Sequence, residues 1–416
     1  MVTSFGSAGD FLPTLAIAHE LRQAGHDILF VTNPFHEASI RALGLDFVPA
    51  GEHVDLYGLL SRDPSLLSTT RGLRVIMDLG APFFADTYRL IREICRSTTV
   101  DAVIGNNLAN GLFWAGMERR VPTVMVSATP VFWVSGKAPM QMLDFAVPEW
   151  LLPTLVGLGR AAFLFLADDW LRSVARTTGP MSFDASLSAI EDGLALHLGT
   201  WPELLRPGSA TDPSTWRACG FARVGHLGTT APALSSELEA FLAAGAPPVV
   251  VGLGSIFSFG ADDVVAHVAD ACVELGKRCV IVGPVPRERA LPPNTLVVPY
   301  ATYHLLFPRA EVVVIHGGAG TTGEAMKSGR PAIVVPFAFD QFGLAWQVER
   351  LGVGVRVAKS GRSFETIRDA LRRACEDVAM RTRAKEVAAS LSGATDGAIV
   401  AARHIEALGP RSGARR

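Results

Sequence analysis

One stretch constrains this chain more than any other: Val312 to Gln341, reading VVVIHGGAGTTGEAMKSGRPAIVVPFAFDQ. Four β-branched residues in a row, Val312 to Ile315, predict a strand buried on both faces. His316 and the run Gly317-Gly318-Ala319-Gly320 come next, and a helical pattern continues through Lys327. Gly329 and Pro331 stop that helix, and a second apolar strand runs from Ala332 to Val335. Strand, glycine turn, helix and strand make one βαβ unit, which demands a parallel sheet covered on both faces.

The glycines let backbone N–H groups approach an anion closely, and the helix start adds a partial positive charge. The pattern predicts a diphosphate site. His316 can donate an imidazole N–H to a phosphate oxygen, and Thr321 or Thr322 a hydroxyl. Glu324, one helical turn past Thr321, suits the two hydroxyls of a ribose, and Asp340-Gln341 offers acceptors and an amide for a hexose. Two other readings fit the same letters. One takes the turn as a plain βα connection with no ligand. Residues 318–323 also match the dinucleotide fingerprint G-x-G-x-x-G, but its acidic residue about 20 positions on has no second strand to sit on. Asp340 instead opens a helix after Pro336.

A chain of 416 residues is too long for one ordinary core and predicts two domains. A hydrophobic share of 49% against 19% charged residues excludes a disordered chain, and a net charge of −2 argues against nucleic acid as a partner. The five cysteines are odd in number and show no C-x-x-C spacing, which fits reduced thiols in a cytoplasmic protein. No basic segment precedes an apolar start, so no signal peptide is expected. So few residues precede Gly6 that the natural start is expected further upstream, since a central strand needs five or six. The most membrane-like stretch, Trp150 to Ala167, is interrupted by Pro153 and Arg160. It reads as a buried or cleft-lining helix rather than a span, with peripheral membrane contact left open.

From its beginning the chain alternates strand and helix. Val2 to Phe5 reads as a strand leading into Gly6-Ser7-Ala8-Gly9-Asp10, and a helix follows with Leu12, Leu15, Ile17, Ala18 and Leu21 on its apolar face. Asp10, just before Phe11-Leu12-Pro13, suits a helix N-cap on local grounds. Leu194 to Leu198 reads as the last strand of the first domain, and Pro202, Pro207, Gly208, Pro213 and Gly220 punctuate a linker with its boundary near residue 235. Phe83, Phe84 and Tyr88 read singly as core residues, yet together with Phe132, Trp133, Met142 and their neighbours they suit an apolar ligand.

The residues His316-Gly-Gly-Ala-Gly-Thr-Thr, Glu324, and Pro336 followed by Asp340-Gln341 resemble the donor signature of glycosyltransferase family 1. Gly6, Gly9, Asp10 and Pro13 resemble its G-x-x-G-[HD]-x-x-P turn, and the likeness covers most of the chain. The resemblance implies an α/β GT-B architecture: two Rossmann-like doubly wound parallel-sheet domains facing a cleft. Residues 1–234 would bind the acceptor, 235–395 the nucleotide sugar, and 396–416 would form a helix crossing back to the first domain and a frayed tail. It implies Asp10 as catalytic base, with Asn106-Asn107 where His-type members carry a paired Asp. Donor contacts would come from Ser255, Pro299, His316, Gly317, Gly318, Gly320, Thr321, Glu324, Asp340 and Gln341. Acceptor contacts would come from Phe83, Phe132, Trp133 and Met142. The implied reaction moves a hexose, with inversion, from a UDP or dTDP sugar to a hydroxyl of an apolar acceptor, with neither metal nor cofactor. A sugar-nucleotide epimerase or hydrolase, or a non-catalytic partner protein on the same fold, are the rival expectations.

Overall fold

The computed structural model describes residues 1–55, 69–132, 143–210, 212–223, 233–254, 261–283 and 291–409. Thirteen strands appear among them: β1 (Val2–Thr3), β2 (Leu29–Thr32), β3 (Asp46–Pro49), β4 (Val103–Asn106), β5 (Thr123–Ser127), β6 (Leu196–Gly199), β7 (Trp216–Ala218), β8 (Val249–Gly252), β9 (Cys279–Val282), β10 (Thr295–Val298), β11 (Val312–Ile315), β12 (Ala332–Val334) and β13 (Gly354–Arg356). They form two sheets, ordered β3-β2-β1-β4-β5-β6-β7 and β10-β9-β8-β11-β12-β13. Every pairing is parallel. Both orders reverse direction beside their first strand, so each sheet has a crevice at the carboxyl ends of its central strands.

Burial on both faces explains why these strands read as apolar runs. In the second sheet Val250, Val313 and Ile315 enter one core, while Val249, Val251, Val312 and Val314 enter the other. In the first sheet Ile104, Val124 and Val126 face α1 (Ala8–Gln23), and Val103 and Met125 face α2 (Thr69–Ser97) and α3 (Asn110–Arg119). The C-terminal helix α7 (Gly397–Glu406) puts Ala398, Ala401, Ala402 and Ile405 into the core shared with α1. His26 Nε2 and Glu406 Oε1, 3.0 Å apart, close that contact.

Two expectations are corrected. Leu194 to Leu198 contributes the sixth strand of its sheet, not the last, because β7 adds an edge inside the segment read as linker. The Trp150–Ala167 region is not buried. It belongs to α4 (Leu152–Arg176), and Trp150, Leu158, Phe165 and Leu166 stand exposed, Phe165 at 77%. Among the described residues no helix is long and apolar enough to cross a membrane. None of the five cysteines is in a disulfide; Cys219, Cys272, Cys279 and Cys375 are buried and Cys95 is half-buried.

Candidate active site

The first turn follows β1. Gly6 holds φ at +123°, and a Cβ there would lie 2.6 Å from Asp10 Oδ2, so both backbone and space require glycine. Ser7 is the N-cap of α1, and Asp10 is its third helical residue rather than the cap itself. Asp10 Oδ2 accepts from the Ser7 N–H and from the Ser7 hydroxyl, each at 2.9 Å, which closes a capping box. Burial pushes the Asp10 carboxyl above its ordinary value, and the two Ser7 bonds oppose that. Asn106 does not pair with Asp10. Its Oδ1 accepts from Phe5 N at 3.2 Å and its Nδ2 donates to Phe5 O at 2.6 Å, so it anchors the chain just before the turn. Asn107 Oδ1 accepts from the Ser127 hydroxyl at 2.8 Å, and the Ser127 Oγ also lies 2.7 Å from His197 Nε2.

The second turn follows β11. Gly317 has φ of +91°, and a Cβ on it would meet Val334 Cγ1 at 2.9 Å and Gln341 O at 3.0 Å. Gly318 is the N-cap of α5 (Ala319–Lys327) and offers no side chain to its first N–H groups. The backbone bonds of that start begin with Thr322 N to Gly318 O at 2.9 Å, so the amides of Ala319, Gly320 and Thr321 point outward. His316 is buried at 9% exposure, and desolvation lowers its pKa to about 4 against the smaller pull of the Gly252 backbone. The ring is therefore neutral at pH 7. Glycines pack close around it: a Cβ on Gly318 would sit 2.3 Å from His316 Nε2, and one on Gly254 would sit 3.2 Å from Cε1. Gly254, at φ +59°, brings the end of β8 against this ring. Of the two threonines, Thr322 is fully buried with its hydroxyl unpaired, while Thr321 is half-exposed. Glu324, half-buried, meets Lys327 Nζ at 3.4 Å.

Asp340 is the N-cap residue of α6 (Gln341–Arg350). Burial first, then the charge of Asp10, raise its pKa to about 7, with the Thr129 hydroxyl among the opposing groups. A residue of the second domain thus feels the charge of a residue of the first. Gln341 is buried, and its Oε1 accepts from Phe337 N at 2.7 Å and Ala338 N at 3.1 Å. Its carbonyl is committed to that turn, which leaves the NH₂ for a ligand.

The remaining expected residues fall in three places. Pro299 is exposed at the end of β10, beside an exposed Tyr300. Phe83 is 3% exposed and stacks on Phe5 with centroids 4.8 Å apart, so its ring belongs to the core. Ser255, Trp133 and Met142, and the side chain of Phe132, lie outside the described residues. Sequence reasoning missed Thr129 and Arg362, neither of which carried a local signal. Arg362 lies 4.1 Å over the Phe337 ring and donates to Pro336 O, bracing the turn held by Gln341.

Residues 266–407 match the family described as erythromycin biosynthesis protein CIII-like, C-terminal domain. The sterol 3-beta-glucosyltransferase of Saccharomyces cerevisiae (strain YJM789) is 24% identical over 92% of this chain and 33% of its own, so the chain spans about a third of that relative's length. The O-mycaminosyltylonolide 6-deoxyallosyltransferase of Streptomyces fradiae is 37% identical over 37% of this chain and 36% of its own. Among solved structures, a spinosyn rhamnosyltransferase complexed with thymidine diphosphate has the same fold, at a TM-score of 0.65 and 18% identity over 97% of this chain and 99% of that one. With two parallel-sheet domains and a solved glycosyltransferase sharing their arrangement along nearly the whole chain, the protein has the GT-B fold, and its residues 266–407 are similar to an EryCIII-like C-terminal domain.

Proposed function

We propose that this protein transfers a hexose from a UDP or dTDP sugar to a hydroxyl of an apolar small-molecule acceptor, with inversion at the anomeric carbon. One observation carries the reading: the charge of Asp10, on the first domain, is felt by Asp340, at the expected sugar position on the second. In this reading a base so placed stands beside the carbon to be attacked. Asp10 Oδ2 is taken by Ser7, so Oδ1 is the oxygen left to receive a proton.

In this reading the acceptor oxygen attacks the anomeric carbon from the face opposite the diphosphate. The carbon–oxygen bond to the diphosphate breaks, its electron pair leaves with the phosphate, and the acceptor proton passes to Asp10. Developing charge on the leaving group meets the outward N–H groups of Ala319, Gly320 and Thr321 and a neutral His316. Asp340 accepts from a sugar hydroxyl and the Gln341 NH₂ donates to one. These N–H donors balance the charge without a metal, so turnover is expected to persist in chelator. The thymidine diphosphate in the related spinosyn enzyme supports a dTDP donor, and the sterol and macrolide relatives support an apolar acceptor.

The test is release of nucleoside diphosphate from a panel of UDP and dTDP sugars, with and without an apolar hydroxyl acceptor. Acceptor-dependent release is expected, and Asp10→Ala should lower it roughly 10²- to 10⁴-fold while donor affinity holds. Equal release without acceptor would mean a hydrolase. Failure to bind any of these donors would mean a non-catalytic protein.

A further inference from the structure

A second set of contacts crosses the cleft away from the reacting atoms. Residues Leu143 and Asp144, from the first domain, lie against α6 and β13 of the second. Trp346 Nε1 donates to Leu143 O at 2.8 Å, and Arg356 Nη1 donates to Asp144 O at 3.0 Å. The Asp144 carboxylate accepts from Lys359 N at 2.8 Å and lies 3.5 Å from the Arg356 guanidinium. Arg356 is itself fixed from two other sides. Its guanidinium lies 3.8 Å over the Trp346 ring, and its Nε is 3.5 Å from Glu349 Oε2. Side-chain exposures of 14% for Arg356 and 24% for Asp144 place the pair largely out of water, where a charge pair is least screened.

These contacts fall on the elements that shape the expected sugar position. Trp346 and Glu349 belong to α6, whose first residue is Gln341 and whose cap is Asp340. Five residues of helix separate Gln341 from Trp346, roughly 7.5 Å of rigid rise. The Asp144 charge also reaches Arg362, which braces Pro336 and Phe337. No such contact reaches the diphosphate turn at Gly317 to Thr321 among the described residues.

We propose that Leu143 and Asp144 form a clasp through which the first domain positions the sugar-binding end of the donor site, with Asp144 and Arg356 as its positioning residues. This rests on the transferase reading above. The clasp ties the start of α6 to the domain that carries Asp10, so sugar and base keep a common frame. The isolated nucleoside diphosphate, held by the other turn, does not need it.

The experiment compares, by calorimetry on the full chain, affinity for a UDP or dTDP sugar with affinity for the matching nucleoside diphosphate. For Asp144→Ala and Arg356→Met, affinity for the sugar nucleotide should fall about tenfold, and for the diphosphate less than about twofold. Asp144→Asn keeps an acceptor for Lys359 N–H and should recover most of the loss. Combining Asp144→Ala with Arg356→Met should cost little more than either alone, because both break one unit. Arg172→Ala, which removes an exposed pair with Asp184, should change neither affinity. Equal losses for both ligands would mean general damage to the fold and overturn the clasp, as would no loss at all. If the wild type binds neither ligand, the transferase reading fails first and the clasp with it.

Discussion

The turn at Gly6 to Asp10 and the turn at Gly317 to Thr321 are the same element built for opposite charges. Each follows a central parallel strand, each needs a glycine in the left-handed region, and each launches a helix. They part at the cap. In the first, Ser7 and Asp10 satisfy the helix start from within, so what faces the cleft is a carboxylate with one oxygen to spare. In the second, Gly318 supplies nothing, and the open N–H groups would suit an anion from outside, as proposed above. In the proposed reading, one or two residues at the cap decide whether such a turn receives a proton or a diphosphate.

That comparison breaks hardest at Gly318. Gly318→Asp would imitate the first turn in the second, capping α5 internally, pushing His316 aside and adding a negative charge. Affinity for UDP or dTDP should fall about 10²- to 10³-fold, near 3–4 kcal/mol, in a titration. Ser7→Ala tests the first turn more gently. Loss of the cap should cost about 1 kcal/mol in denaturant unfolding. Since the Ser7 bonds hold the Asp10 pKa down, the acid limb of the pH–rate profile should also move to higher pH.

The smallest effect concerns Asp340 and has the opposite sign. Its folded pKa, about 7, lies above the ordinary 3.8. The folded protein therefore binds a proton that the unfolded chain has released, and this group's contribution to stability is lost as pH rises from about 4 to 7. Asp340→Asn should raise Tm at pH 8 by a few degrees and leave it unchanged near pH 4. Transfer activity should drop at both.

What the sequence made legible follows from how local each signal is. The Val312–Ile315 strand and its glycine turn are written in consecutive residues, because burial on both faces and a left-handed turn each impose a residue type on the spot. The same holds for the Gly6 turn, except that the cap is Ser7. A helix N-cap and the third residue of a capping box differ by three positions, and the letters Ser-Ala-Gly-Asp admit either carboxyl role. β7 was hidden because its three residues sit at an edge after Pro213, with no buried alternation to betray it. The burial of α4 was misjudged since apolar residues at Trp150, Leu158 and Phe165 do not say whether anything covers them. The clasp had no local signal: Leu143 and Asp144 meet Trp346, Arg356 and Lys359 only after both domains have folded.

The division of labour between the two turns is tested most directly by a crystal structure of the protein with UDP or dTDP bound. The account predicts diphosphate oxygens within hydrogen-bond distance of the Ala319, Gly320 and Thr321 N–H groups and of the His316 ring, with Asp10 clear of the phosphates. A diphosphate seated instead on the Ser7–Asp10 turn, or the Gly318 turn left empty while nucleotide binds elsewhere, would contradict it.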